Sequence, residues 1–118
     1  MTDTPSLTAM KSELGENLPD SHAAYESVDP ELFENYLAWR SSILDTGTIP
    51  RAQKLLMVIA LLTAQKSIPA LKVYSAIARS QGVTAQELKE ALRVGILFSG
   101  GAGVDAASNV TDLLREDD

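Results

Sequence analysis

The stretch that decides the fold runs from Arg51 to Ser80 and reads RAQKLLMVIALLTAQKSIPALKVYSAIARS. Its first half, residues 51–65, predicts a helix that is apolar on every side between residues 55 and 62. A helix of that kind is buried all round. In a domain this small it is either the central helix or a helix shared with a subunit interface. The second half, residues 68–80, predicts a helix that stops at Gly82, because glycine readily adopts the left-handed conformation that ends helices.

The hinge between these two helices, Gln65-Lys66-Ser67-Ile68-Pro69, is where we expect a chemical site if the protein has one. Ser67 suits the N-cap of the second helix, and Pro69 suits its first turn. None of the hinge residues is reactive by itself, since a serine needs an adjacent base to act as a nucleophile. The hinge therefore predicts a turn between helices more readily than a function.

Downstream of Gly82, the sequence Val83-Thr84-Ala85-Gln86-Glu87-Leu88 predicts a helix start. Thr84 and Glu87 have the spacing of a capping box, flanked by an apolar staple. We expect this helix to reach about residue 98, with Gly95 permitting close packing. The run SGGAG at residues 99–103 predicts a break, and a last helix follows at about residues 104–115.

Upstream of the apolar helix, Asp29-Pro30 predicts another helix start, since aspartate can cap and proline suits the first position. The apolar stripe of this helix consists of Leu32, Phe33, Tyr36, Leu37, Trp39 and Ile43, with Leu44 near its end. We expect it to pack on the core rather than form an aromatic ligand cage. Before it, Ser6–Glu16 predicts a short helix, Pro19-Asp20-Ser21 a break, and residues 22–28 either a helical turn or a loop.

No stretch alternates between apolar and polar residues as a strand does. The expected architecture is therefore all-α, with five or six helices and short links. We expect an N-terminal segment with a short helix at residues 1–28, followed by one helical domain at residues 29–118. A chain of 118 residues buries only a small core, so self-association is an expected way to cover further apolar surface.

Composition excludes several chemistries. The chain has no cysteine, so it forms no disulfide, thiolate metal site or thiol nucleophile. It has one histidine, His22, which any Ser-His-Asp triad or histidine-containing metal site would have to use. We expect His22 to lie in a solvated loop. The sequence predicts no metal site and no cofactor.

Charge is distributed unevenly along the chain, whose net charge is −6. Residues 1–48 hold nine acidic and two basic side chains, residues 49–104 seven basic and two acidic, and residues 105–118 five acidic and one basic. The acidic ends either dock on the basic middle, or the basic side chains face an anionic ligand. Those side chains are Arg51, Lys54, Lys66, Lys72 and Arg79. The net charge argues against binding a nucleic-acid backbone.

No run approaches the roughly 18–20 apolar residues that span a bilayer. The polar, acidic segment at residues 1–10 lacks the basic region and apolar run of a secretory signal. We therefore expect a soluble cytoplasmic protein.

The order of these features resembles the carboxymuconolactone decarboxylase family, which includes the alkylhydroperoxidase D-like proteins. The resemblance covers roughly residues 31–107, and QGVTAQELKEAL at residues 81–92 is its closest piece. It implies an all-helical, alkylhydroperoxidase D-like fold that assembles into trimers, hexamers or other rings. In peroxidase-type members, a Glu on the apolar helix precedes a Cys-x-x-Cys with a His four residues beyond. The second Cys is the attacking thiol, and the Glu and His relay protons. Lactone decarboxylase members lack the cysteines and keep the histidine.

Carried over by spacing, the resemblance places the family's site on four residues of this chain. Leu55 occupies the Glu position, Ser67 and Ala70 the two Cys positions, and Tyr74 the His position. Each replacement removes chemistry, since leucine and alanine are inert and a phenol is a poor base near neutral pH. The replacements also have structural explanations, such as a helix cap and core packing. We therefore interpret the thiol peroxidase site as degenerate.

Three functional interpretations remain open, one of which is a regulatory partner that assembles with an active paralogue. The first is a self-associating protein that binds a small ligand without thiol chemistry or acts as an interaction subunit. Its candidate ligand contacts are Ser67 and Tyr74 in a pocket, with Lys54 or Lys66 near the rim as contacts for a small anion. The alternative is a lactone decarboxylase-type enzyme that holds a carboxylate with the basic segment. An enclosed polar cavity at Ser67 and Tyr74 would favour a ligand-binding protein or an enzyme. If hydrophobic side chains fill that space instead, an interaction subunit is favoured.

Overall fold

The structure is a computed structural model that describes Ser12 and residues 20–115. The described residues form six α-helices and no strand: α1 Asp20–Val28, α2 Pro30–Leu44, α3 Arg51–Gln65, α4 Ile68–Ser80, α5 Ala85–Ser99 and α6 Gly101–Ala107. A 3-10 segment, Ser108–Leu114, follows α6. The all-α prediction is confirmed. The short helix predicted at Ser6–Glu16 lies, apart from Ser12, outside the described residues.

The chain divides into two compact units, Met1–Pro50 and Arg51–Asp118. In the first unit, α1 packs on α2. Asp29 begins α2 as predicted, because one carboxylate oxygen accepts a hydrogen bond from the Leu32 amide at 3.2 Å. The other oxygen accepts one from the Tyr25 hydroxyl at 2.9 Å and so ties the two helices together.

Two expectations for this unit are wrong. Residues 20 and 21, predicted to break a helix, belong to α1 instead. His22 is a half-buried residue of α1, not a solvated loop residue. The polar composition of α1 gives it little amphipathic pattern, so the sequence carried a weak helix signal there. The buried stripe of α2 is also narrower than predicted, with Phe33, Leu37 and Leu44 buried.

The second unit is built around the contact between α3 and α5. Gly95 of α5 lies so close to α3 that a Cβ atom there would sit 2.6 Å from both the Ala60 carbonyl oxygen and Thr63 Cβ. The prediction that Gly95 permits close packing is therefore confirmed. Thr63 is fully buried at this crossing, and its hydroxyl donates to the Ile59 carbonyl at 2.8 Å.

The predicted start of α5 is confirmed in detail. Thr84 and Glu87 form a complete capping box, with the Thr84 amide donating to Glu87 at 2.9 Å and the Glu87 amide donating to the Thr84 hydroxyl at 3.0 Å. Val83 and Leu88, which flank the box, are both buried. Only one glycine of the predicted break interrupts the chain, since Gly100 has φ +63° and joins α5 to α6. The last helix therefore begins at Gly101, earlier than predicted, and ends as a 3-10 segment.

Arg79 joins several parts of this unit. Its Nε donates to the Leu113 carbonyl at 3.1 Å and its Nη1 donates to the Val83 carbonyl at 2.8 Å. These bonds connect α4 with the 3-10 segment and with the link that follows α4. They give a structural role to a side chain for which the sequence also allowed an anionic ligand.

Candidate functional site

The hinge after α3 is a closed helix end. The Ser67 amide donates to the Leu62 carbonyl at 3.0 Å and the Lys66 amide donates to the Thr63 carbonyl at 3.1 Å, which is the bond pattern of a Schellman motif. Lys66 has a φ of +58°, so a lysine occupies the left-handed position that usually holds glycine. Lys66 is therefore an exposed cation held in a fixed, strained backbone.

Ser67 is the N-cap residue of α4, as predicted, but its side chain makes no capping hydrogen bond. Its backbone has φ −88° and ψ +82°, away from the extended conformation in which a capping side chain reaches the next amides. The sequence therefore predicted the N-cap position of Ser67 correctly, but not the absence of a capping hydrogen bond from its side chain. The hydroxyl of Ser67 is not used to begin α4.

The four family positions lie on two helices of the second unit. Leu55 is fully buried on α3. Ser67, Ala70 and Tyr74 follow one another at spacings of three and four and thus share one side of α4, where each is partly buried. Tyr74 and the partly buried Lys54 both interact with other groups of the protein. The two cavities described next are lined by other residues.

The first cavity is a groove of about 530 Å³ on the outer side of α3 and α5. Its apolar lining, which we call the α3–α5 face, consists of Leu56, Met57, Ala60, Leu61, Ala91 and Val94. Glu87 and Glu90 also line the groove. On α5 the apolar stripe continues to Leu97 and Phe98, which are 77% and 84% exposed. Of the two predicted alternatives for α3, a central helix buried within one chain is therefore wrong, since Met57 and Leu61 are 50% and 60% exposed. A helix shared with a subunit interface stays a prediction.

The second cavity lies in the first unit and has a volume of about 370 Å³. Its lining residues, which we call the aromatic pocket, are Ser21, His22, Tyr25, Leu32, Phe33 and Tyr36. The sequence did not predict this cavity, because the aromatic stripe of α2 indicated core packing and the polar surroundings of His22 indicated a loop. The available signal was the concentration of aromatic residues between positions 25 and 39.

The His22 imidazole contacts two rings of α2. Its centroid lies 5.7 Å from that of Phe33 in an edge-on arrangement, and 6.3 Å from that of Tyr36. Desolvation by burial, and to a smaller extent the positive charge of Arg40, lower the pKa of His22 below its ordinary value. Both effects favour the neutral form of the imidazole. Its Nδ1 lies 3.3 Å from the Ser21 hydroxyl oxygen.

Comparison with protein families identifies the chain. The model of the carboxymuconolactone decarboxylase family matches residues 30–113, which is most of the sequence. The chain belongs to the carboxymuconolactone decarboxylase family. The match includes α2 to α6 and excludes α1, so the aromatic pocket combines a helix outside the family match with one inside it.

A solved structure supports the same fold. It is a protein from Burkholderia xenovorans LB400 provisionally described as a carboxymuconolactone decarboxylase. The two chains are 20% identical and superpose with a TM-score of 0.72 over 88% of this chain and 85% of the other. At this identity the likeness establishes the fold alone. No curated protein matches the sequence significantly.

Within the family fold, the hinge offers little chemistry of its own. The four family positions hold no thiol, imidazole or carboxylate. The described residues contain no group of three or more histidine or acidic side chains placed to hold a metal ion. In the same part of the chain, no helix is long and apolar enough to cross a membrane.

Proposed function

We propose that this family member works without thiol chemistry as a self-associating interaction protein, and that the α3–α5 face is the surface on which copies meet. The observation that carries the proposal is the set of large apolar side chains exposed on that face and on its continuation to Phe98. Monomeric soluble proteins rarely expose so continuous an apolar surface. We expect a ring of three or six copies in the cytoplasm.

The energetics favour association through this face. Burying one large apolar side chain gains about 1.5–3 kcal/mol, and Met57, Leu61, Val94, Leu97 and Phe98 are each at least half exposed. Their combined gain is comparable with the free-energy cost of associating two proteins. Glu87 and Glu90 supply the polar edge that usually surrounds an apolar interface core.

The proposal includes a small-ligand site at the hinge. Ser67, Ala70 and Tyr74 share one side of α4, and the Ser67 hydroxyl makes no capping bond that a ligand would have to replace. Lys66 offers an exposed ammonium group beside them, and Lys54 is the second candidate cation. A small anion suits this set. Because the site lacks a thiol and a base, we expect binding there rather than peroxidase turnover.

Light scattering tests the self-association. We expect a mass of three or six times the chain's 12.7 kDa. Leu61→Asp should dissociate the assembly, because it places a charge on the α3–α5 face without touching the buried side of α3. The matched control is Val28→Asp, an equally drastic change at an exposed apolar residue of the other unit. A native mass near 12.7 kDa at all concentrations would refute the proposal.

The alternative function is a lactone decarboxylase-type enzyme, and it draws support from the family match. The assay is loss of the carboxylate from a lactone substrate by the native protein, by Tyr74→Phe and by Lys54→Ala. If the alternative holds, the native protein turns over substrate and both variants lose most of that rate. No turnover above buffer by the native protein would exclude that substrate and leave the interaction function in place.

A further inference from the structure

The aromatic pocket is not used by the proposed function and lies apart from the family positions in the sequence. It is an open pocket lined by residues of α1 and α2, which belong to a single unit. Four of its six lining residues carry rings: His22, Tyr25, Phe33 and Tyr36. A volume of about 370 Å³ is at the small end of the range for ligand sites and suits a molecule with one or two rings.

The arrangement of the rings favours a flat aromatic guest. The imidazole of His22 stands nearly perpendicular to the Phe33 ring, at 86°. The Tyr36 ring is tilted by 48° relative to Phe33, with centroids 6.0 Å apart. These three rings present both edges and faces, which are the two surfaces that aromatic pairs prefer. A saturated molecule of the same size would gain only the apolar contact.

His22 supplies a hydrogen-bond acceptor to the pocket. A neutral imidazole keeps one bare nitrogen that accepts a hydrogen bond. A ligand that donates a hydrogen bond can pair with that nitrogen.

Charge argues against an anionic guest. Residues 20–50 hold six acidic side chains and one basic side chain, Arg40. The acidic surroundings disfavour a carboxylate. The positive charge of Arg40, which lowers the pKa of His22, disfavours a cation at the imidazole. A neutral ligand is repelled neither by the acidic side chains nor by Arg40.

We propose that the aromatic pocket binds small neutral aromatic molecules that carry a hydroxyl or N–H donor, of which phenol and indole are the simplest. The guest ring packs against the edges and faces that His22, Phe33 and Tyr36 present to the pocket, and its donor faces the imidazole of His22. This inference does not depend on self-association or on the hinge site, because all of its residues belong to the first unit.

Nuclear magnetic resonance locates the binding site directly, because the chain has one histidine and its imidazole protons give a single set of signals. Phenol or indole should shift these signals in a saturable way, through ring currents from the bound guest. Cyclohexanol keeps the donor without the ring, and benzoate keeps the ring with a negative charge. Both should bind at least about tenfold more weakly. The proposal would be overturned if neither phenol nor indole shifted the His22 signals. It would also be overturned if cyclohexanol and benzoate bound as tightly as phenol.

Calorimetry on two variants tests the geometry. Leu32→Trp fills the pocket from a half-exposed position and should weaken phenol binding by at least about tenfold. Leu97→Trp, the same change on an exposed residue of the other unit, should leave the affinity unchanged. His22→Phe keeps a ring and removes the acceptor, so phenol should lose affinity while toluene does not. Circular dichroism confirms folding, and unchanged phenol affinity in both Leu32→Trp and His22→Phe would refute the assignment.

Discussion

Two neighbouring links of the second unit perform the same task with different residues. The link from α3 to α4 and the link from α4 to α5 each close a helix with a Schellman motif, since the Val83 amide donates to the Ala78 carbonyl at 3.0 Å and the Gly82 amide to the Arg79 carbonyl at 3.3 Å. The second link places Gly82 at φ +100°, whereas the first places Lys66 at φ +58°.

The N-cap residues that come after the two links differ as well, and again the second link has the more favourable residue. Thr84 forms a complete capping box, and Ser67 forms no side-chain capping bond. The second link therefore follows every local rule for stability, and the first breaks two of them. Proteins commonly keep such locally unfavourable choices where they bind or react, and offset them elsewhere. The difference supports the hinge, where we expect the family's site, as the ligand site that we propose.

The largest effect on stability should come from replacing the glycine of the second link, Gly82, with lysine, the residue that the first link has at the equivalent position. Gly82→Lys forces a side chain into a φ that only glycine adopts freely, and we expect a loss of about 2 kcal/mol in the free energy of unfolding. No other atom lies within 4 Å of a Cβ at this position, so the loss would report backbone strain and not a clash. Chemical unfolding followed by circular dichroism measures it, at one protein concentration because association adds stability.

Gly101→Lys is the matched control for that change. Gly101 also has open space around its Cβ position but begins α6 without a positive φ. We expect no loss there, because lysine favours helices more than glycine does. An equal loss in both variants would mean that the added side chain, and not the left-handed backbone, is responsible.

A smaller effect should follow from removing the cap of the second link. Thr84→Ala deletes the acceptor for the Glu87 amide, and we expect it to cost about 1 kcal/mol in the free energy of unfolding. Thr84→Ser retains the hydroxyl and should lose much less. If Thr84→Ala is as stable as the parent, the capping box adds nothing and the contrast between the two links disappears.

The sequence predicted the second link well and the first only in outline. Thr84, Glu87 and Gly82 signal their roles through local rules, which hold wherever the side chain itself makes the turn or the cap. Lys66 gives no such signal, because its φ is imposed by the closing bonds of α3 and the start of α4. The missing bond of Ser67 depends on its ψ, which residue type does not determine.

The two cavities were hidden from the sequence for a different reason. The all-round apolar pattern of α3 predicts burial, but it does not say whether the partner is the same chain or another copy. Met57 and Leu61 fit the pattern either way, and only the fold separates them from the buried Ile59. For His22, the short polar helix α1 left no periodicity from which to place it.

Relieving the strain of the first link should stabilise the protein slightly. Lys66→Gly removes the left-handed penalty but adds backbone entropy to the unfolded chain, so we expect a gain of only about 0.5 kcal/mol in the free energy of unfolding. Gln65→Gly, one position earlier and inside the helix, should instead lose about 0.5–1 kcal/mol. If Lys66→Gly also weakens binding of a small anion, the lysine is kept for its charge. A loss of stability in Lys66→Gly would show that the lysine conformation is not strained.

The smallest effect should come from Ser67→Ala. Because the Ser67 side chain makes no capping bond, we expect a change below about 0.5 kcal/mol, less than for Thr84→Ala in the same unfolding measurement. A loss equal to that of Thr84→Ala would mean that Ser67 caps α4 in solution, and the two links would then differ only at the glycine. If stability is unchanged, any loss of anion binding or lactone turnover in Ser67→Ala can be attributed to the hydroxyl itself, because the helix that presents it remains intact.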